Sequence, residues 1–195
     1  MIAVLLLGIA TVGTAWSGYQ ASRWNQEQSD IARDGSDLRV EANRQFGLAT
    51  QTILYDANLV TQYAKAVSDG DTELQDFYKS TLFRAGFLPV IEQWQAAVRA
   101  GETPPRLLED REYLDAQLAP YQDTQAKAEA KDVESKDAGQ NADDYVLLTL
   151  LLASALFFAG VTTSFKLELA RLVLLGLSGV LLAYCISQIA TLPTT

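Results

Sequence analysis

At 195 residues and 49% apolar content the chain has the length of one domain, but its apolar residues gather at the two ends, a membrane-type pattern that the average conceals. A net charge of −9 opposes binding to nucleic acid, whose phosphate backbone calls for a basic surface, and disfavours lying flat on anionic lipid. With no histidine and Cys185 as the only cysteine, neither an intramolecular disulfide nor a Cys/His zinc site can be built, and Cys185 in an apolar run reads as a small buried hydrophobe.

The first apolar run, residues 2–16, extends without charge to Gln20 and stops at Arg23. Small residues at Gly13, Thr14 and Ala15 would suit a signal peptidase, but no basic segment precedes the run, so an uncleaved membrane helix over residues 1–20 is expected, with a short natural segment before Met1 to supply the missing flank. Trp16, Tyr19 and Trp24 follow it and fit interfacial anchors at headgroup depth.

Residues 21–144 read as an acidic helical domain. No proline occurs from Ser17 to Ser68, and Ile31, Leu38, Ala42, Phe46, Ala49, Ile53, Ala57, Val60, Ala64 and Val67 recur at helical spacing. The first membrane helix is thus expected to continue as a long amphipathic helix, with Ile31, Leu38, Phe46, Ile53, Val60 and Val67 as its interaction stripe and Gly35 as the place where it bends or frays. Ser68-Asp-Gly-Asp71 breaks it, and Thr72 with Gln75 makes a capping box for the next helix. That helix buries Leu74, Phe77, Tyr78, Thr81, Leu82 and Ala85. Gly86-Phe-Leu-Pro89 turns into a further helix carrying Val90, Ile91, Trp94 and Val98, ended by Gly101 and Pro104-Pro105. This aromatic stretch is the expected head, folded back over about residues 71–113.

Leu107–Gln117 predicts a short helix. After Pro120 an Ala/Lys/Glu/Asp/Gln segment has high helix propensity and a thin apolar seam of Leu114, Leu118, Tyr121, Ala128, Ala138 and Ala142. It runs without a breaker into Tyr145–Phe165, which with Leu172–Leu192 forms a pair of charge-free runs of 21 residues each. At ~1.5 Å per residue either spans the ~30 Å hydrocarbon core, so a transmembrane hairpin over 145–165 and 172–192 is expected. Its loop carries Lys166 and Arg171; the positive-inside rule puts that loop in the cytoplasm and the acidic domain outside, although Arg23, Arg33, Arg39 and Arg44 follow the first span on that outer side. Gly179, Ala183 and Ser187 share one face of the last span and permit close helix packing, within the hairpin or between chains.

The runs Gly8–Trp24, Phe83–Trp94 and Tyr145 leading into Ala155–Gly160 resemble an uncharacterised family of small bacterial inner-membrane proteins with one N-terminal span, a helical middle and a C-terminal hairpin. The resemblance implies that location and architecture and brings no activity with it. The residues themselves offer no catalytic set, cofactor or metal site: Asp69–Ser80 begins like a calcium loop but has Leu74 where Gly is required and Ser80 where Glu is required, and Glu-x-x-His iron ligation needs histidine. Other carboxylates, at Glu109, Asp110, Glu112, Asp143 and Asp144, suit caps, linkers and the membrane edge. The fold class expected is all-α, with three transmembrane helices and a long antiparallel, coiled-coil-like soluble domain. The expected function is a non-enzymatic scaffold, accessory subunit or assembly factor that partners the bilayer and further copies of itself or another membrane complex, with a ligand-binding sensor or an oligomeric channel as alternatives.

Overall fold

The computed structural model describes residues 2–104, 110–165 and 167–195. Among them all regular structure is helical: α1 (Ile2–Ser68), α2 (Thr72–Phe77), a π-helical turn (Tyr78–Leu82), α3 (Leu88–Ala100), α4 (Arg111–Val161), a 3-10 turn (Thr162–Ser164) and α5 (Glu168–Ile189). Two compact units result, Met1–Gly35 with Glu129–Thr195, and Ser36–Ala128. Helices α1 and α4 contribute to both.

The fraying expected at Gly35 does not occur: α1 is continuous there and Gly35 itself is buried. Packing of the helix face outweighs the ~1 kcal/mol helix penalty of one glycine. The helix ends where the residues require it. Gly70 takes φ +71°, and the Asp71 N–H donates back to the Ala66 carbonyl at 3.0 Å. The capping box expected from Thr72 is replaced by its neighbour: the Asp71 carboxylate accepts from the Leu74 N–H at 3.0 Å, while the Gln75 amide donates to the Ala66 carbonyl at 3.2 Å. One residue earlier, a carboxylate is the stronger cap and sits favourably at the positive end of the helix dipole.

In the unit Ser36–Ala128, the buried positions of α1 are Ala42, Ala49, Asp56, Leu59, Tyr63 and Ala66, and the partly buried Leu38, Gln45 and Thr52 complete with them a strict alternation of four- and three-residue steps. Helix α4 answers with Tyr113, Gln117, Tyr121, Thr124 and Ala128. The two run antiparallel here, since Asp56 meets Tyr113 while Phe46 packs on Tyr121 with the rings tilted at 57° and their centroids 5.2 Å apart. The turn of the chain is packed around Leu59, Tyr63, Tyr78, Phe83, Phe87, Ile91 and Tyr113. Pro89 stands in the first turn of α3, where its missing N–H costs nothing, and Gly101 ends the helix at φ +72°. In α2 and the π turn, Tyr78 is buried, but Leu74 and Phe77, expected on the buried face, are 39% and 48% exposed. The π turn moves the packed face by one residue beyond Tyr78, so that Phe83 is buried instead.

Of the short helix expected over Leu107–Gln117, Leu107 and Glu109 lie outside the described residues. From Arg111 onward α4 passes Pro120 without interruption. Pro120 and Ala116 are both exposed, so the carbonyl deprived of its helical partner faces water.

In the other unit three helical segments share one interior built from Ala10 and Ala21 of α1, Tyr145, Leu148 and Leu152 of α4, and Leu182 and Cys185 of α5. Here too α1 and α4 are antiparallel. The Ser135 hydroxyl donates to the Gln28 carbonyl at 3.2 Å, and Gly13 faces Leu152 closely enough that a Cβ would meet it at 3.2 Å. Where the sequence suggests helices over 145–165 and 172–192, α4 closes at Val161 and the 3-10 turn, and α5 opens at Glu168, so Arg171 belongs to its first turns. A glutamate in that first turn complements the helix dipole. Lys166 lies outside the described residues.

Candidate functional site

In the unit Met1–Gly35 with Glu129–Thr195 large apolar side chains stand exposed on all three helices, while small and polar ones share the interior with Leu148, Leu152 and Leu182. Facing inward are Ser17, Gln20, Ser178 and Cys185, each at most 1% exposed, with Ala10, Ala155 and Ala159. Facing outward are Val4, Leu5, Val12, Leu147, Leu150, Phe157, Leu172, Val173 and Val180; Val12 is 71% exposed. Both α4 and α5 are long and apolar enough to cross a membrane. Small inward residues let backbones approach, and the Ser178 hydroxyl crosses from α5 to the Ala155 carbonyl of α4 at 2.9 Å. Ser17 Oγ is buried with no hydrogen-bond partner among the described residues.

One end of this unit is tied by the segment after α5. The Pro193 carbonyl accepts from Trp24 Nε1 at 3.1 Å and from the Tyr145 hydroxyl at 3.2 Å. Gln20 Oε1 accepts from both the amide and the hydroxyl of Thr195, at 3.2 and 3.1 Å. Trp24, expected as a lipid-interface anchor, thus has its indole N–H engaged by the chain itself. Trp16 and Tyr19 remain exposed, their rings 6.1 Å apart.

The last span's small-residue face does not pack within the hairpin. Ser178, Leu182 and Cys185 fill the interior, while Ala183 and Ser187 are exposed and a Cβ on Gly179 would meet nothing within 4 Å. Arg171 is exposed as well.

Compared with family models, curated proteins and solved structures, the chain matches none.

The unit Ser36–Ala128 holds the other candidate, a buried ionic cluster. Asp56 is wholly buried on α1; Arg84, following the π turn, places Nε 3.3 Å from Asp56 Oδ1 and bonds Oδ2 through Nη2. The Tyr113 hydroxyl of α4 donates to Asp56 Oδ2 at 2.5 Å and lies 3.4 Å from Arg84 Nη2. Burial pushes the Tyr113 hydroxyl well above its usual value, with its bond to the Asp56 carboxylate adding to the effect. Arg84 is raised chiefly by its hydrogen bonds to Asp56. Nearby, Lys79 bonds the buried Gln95 side chain and stands 6.0 Å from the centre of the Tyr63 ring. A cleft of about 230 Å³ opens beside the cluster, lined by Gly86, Pro89, Gln93, Asp110, Glu112 and Tyr113. The Asp110 carboxylate there is already engaged by the Tyr113 N–H at 2.8 Å. No group of three or more acidic or cysteine side chains placed to hold a metal occurs among the described residues.

Of the expected stripe, Ile31 is buried and Leu38, Ile53, Val60 and Val67 are partly buried, whereas Phe46 is 48% exposed. Ile53, Val60 and Val67 flank the aromatic core. The packed line itself runs beside them, through Gln45, Thr52, Asp56 and Tyr63. Asp56 carries a signal that the sequence could have supplied: it is the one charge between Gln45 and Ala64.

Proposed function

We propose that the chain is an integral, non-enzymatic scaffold or accessory subunit of a bacterial inner membrane, anchored by three helices over about residues 1–20, 145–165 and 172–192. The observation that carries this reading is the outer surface of the three-helix unit, where large apolar side chains of α1, α4 and α5 stand exposed while Ser17, Gln20 and Ser178 are turned in. In water such a surface would be a large uncovered patch, and in hydrocarbon it is the ordinary solvent-facing surface. The acidic helical region stands outside the cytoplasm, with Lys166 and Arg171 on the inner side. It works through helix–helix contacts, as a homo-oligomer or within another membrane complex, and needs no cofactor.

Alkaline carbonate extraction of membranes containing the full chain tests the anchoring. The protein should stay in the pellet and come off only with detergent; release into the carbonate supernatant would overturn the reading. A second reading, a membrane-anchored ligand-binding module, is favoured by the cleft beside Tyr113. Hydrogen exchange of α3 with and without a candidate ligand separates the two, since only the second reading expects protection there.

A further inference from the structure

Helix α1 carries a second line of positions, each one residue before a packed one and so ~100° around the helix from it. Between Gly47 and Gln62 the exposed side chains are Leu48, Gln51, Leu54, Tyr55, Asn58, Thr61 and Gln62, and none is charged. Leu48, Gln51, Tyr55, Asn58 and Gln62 follow one another at steps of three, four, three and four, the spacing of a helix seam. Leu48, Leu54 and Tyr55 are about half exposed or more among the described residues. The interval is bounded by charge at both ends: Arg44 pairs with Glu41 at 2.5 Å, and Lys65 with Asp69 at 2.9 Å. Sixteen consecutive residues of an acidic protein, on a helix that is polar and charged elsewhere outside the apolar end, thus keep their outer face neutral.

We infer that this face, Leu48 to Gln62, is where a second copy of the same chain docks, α1 against α1 in parallel and in register. The inference rests on the membrane reading above. Copies held in one bilayer send α1 out in the same direction, so residues at equal height meet their own counterparts. In a parallel pair every charged seam residue would face its own charge. The charge-free interval removes that repulsion, and a partner of different sequence would impose no such requirement. The interval is ~23 Å long at 1.5 Å per residue, short for a free dimer but sufficient where confinement to the bilayer raises effective concentration. Leu48 and Tyr55 supply the apolar contacts, and Asn58 is the polar seam residue that fixes register in such pairs.

The test uses the full chain in its native membrane with Cys185→Ala as background. Leu48→Cys and Tyr55→Cys should form symmetric disulfide dimers under mild oxidation. Thr50→Cys, two residues from Leu48 and therefore ~200° around the helix, should not. Adding Tyr55→Lys or Tyr55→Glu to Leu48→Cys should lower the dimer yield by about tenfold, the effect of ~1.4 kcal/mol of like-charge repulsion. Co-expression of the Lys and Glu variants under different tags should restore a mixed dimer, which a merely misfolded variant could not do. Equal yields at Leu48→Cys and Thr50→Cys, no dimer at any position, or indifference to the added charges would each overturn the inference. Should those results come from protein that resists carbonate extraction, the docking face alone fails; release by carbonate would instead remove the anchoring on which it rests.

Discussion

Cutting the Asp56–Arg84 pair from its two ends should cost unequal amounts, because the partners are unequally shielded. Asp56 is wholly buried, while 40% of the Arg84 side chain reaches solvent. In Arg84→Ala the carboxylate keeps only the Tyr113 hydroxyl and meets water only through the gap the arginine leaves, a largely stranded charge of the kind that costs ~3–5 kcal/mol. In Asp56→Ala the guanidinium rehydrates through its open side, and screening already discounts what it gained from the pair. What remains is chiefly the buried Tyr113 hydroxyl without its acceptor, ~1–3 kcal/mol. The expected gap of ~2 kcal/mol is a factor of about 30 in the opening equilibrium. Native-state hydrogen exchange of the α3 amides in the detergent-solubilised full chain reads that equilibrium directly, α3 being the helix that Phe87 and Ile91 lock into the aromatic core. Replacing both ends by apolar residues, Asp56→Leu with Arg84→Met, should recover much of the loss. If Asp56→Ala released α3 as strongly as Arg84→Ala, the claim that burial of the carboxylate dominates this cluster would be refuted.

The raised Tyr113 hydroxyl makes the same region sensitive to alkali. Its folded value lies above the unfolded value of ~10, so its contribution is intact below that pH and is lost as pH climbs past it, and Tyr113→Phe should flatten the decline measured by α3 exchange. At the tied end of the three-helix unit, Trp24→Phe with Tyr145→Phe removes both donors to the Pro193 carbonyl. Two hydrogen bonds at ~1 kcal/mol each predict roughly 30-fold faster maleimide labelling of the buried Cys185, whose cluster Leu192 helps to cover; an unchanged rate would mean that the segment does not hold the unit shut. Gly101→Ala forces a side chain into the left-handed region at φ +72° and should lower the thermal midpoint by the equivalent of ~1 kcal/mol.

Local chemistry was legible in advance. The ends of α1 and α3 follow from Gly70, Asp71, Pro89 and Gly101, and the all-helical character from unbroken periodicity. The packed line of α1 was harder to see because its members are small or polar. Ala42 and Ala49 stand in the expected apolar line, but Gln45, Thr52 and Asp56 carry no hydrophobic signal, so the apolar pattern pointed to Phe46 and Ile53 instead of them. The Asp56–Arg84–Tyr113 cluster joins residues 28 and 57 positions apart, a pairing no local spacing encodes. Gln20, Trp24 and Tyr145 converge on Pro193 and Thr195 only once three helices and the segment after α5 are assembled. The outward turn of Gly179, Ala183 and Ser187 depended on which face of α5 met Ala155, and that face is the one carrying Ser178, Leu182 and Cys185.

A line of alanines and threonines presents nearly the same relief at each step, and such a surface is indifferent to sliding. Between Ala42 and Ala128, registration is therefore entrusted to a few irregular contacts, the Phe46–Tyr121 ring pair and the carboxylate that Tyr113 grips. Loosen those two and the alanine-lined stretch of the two helices offers only shallow notches against slipping, which leaves the aromatic turn at their end as the remaining lock.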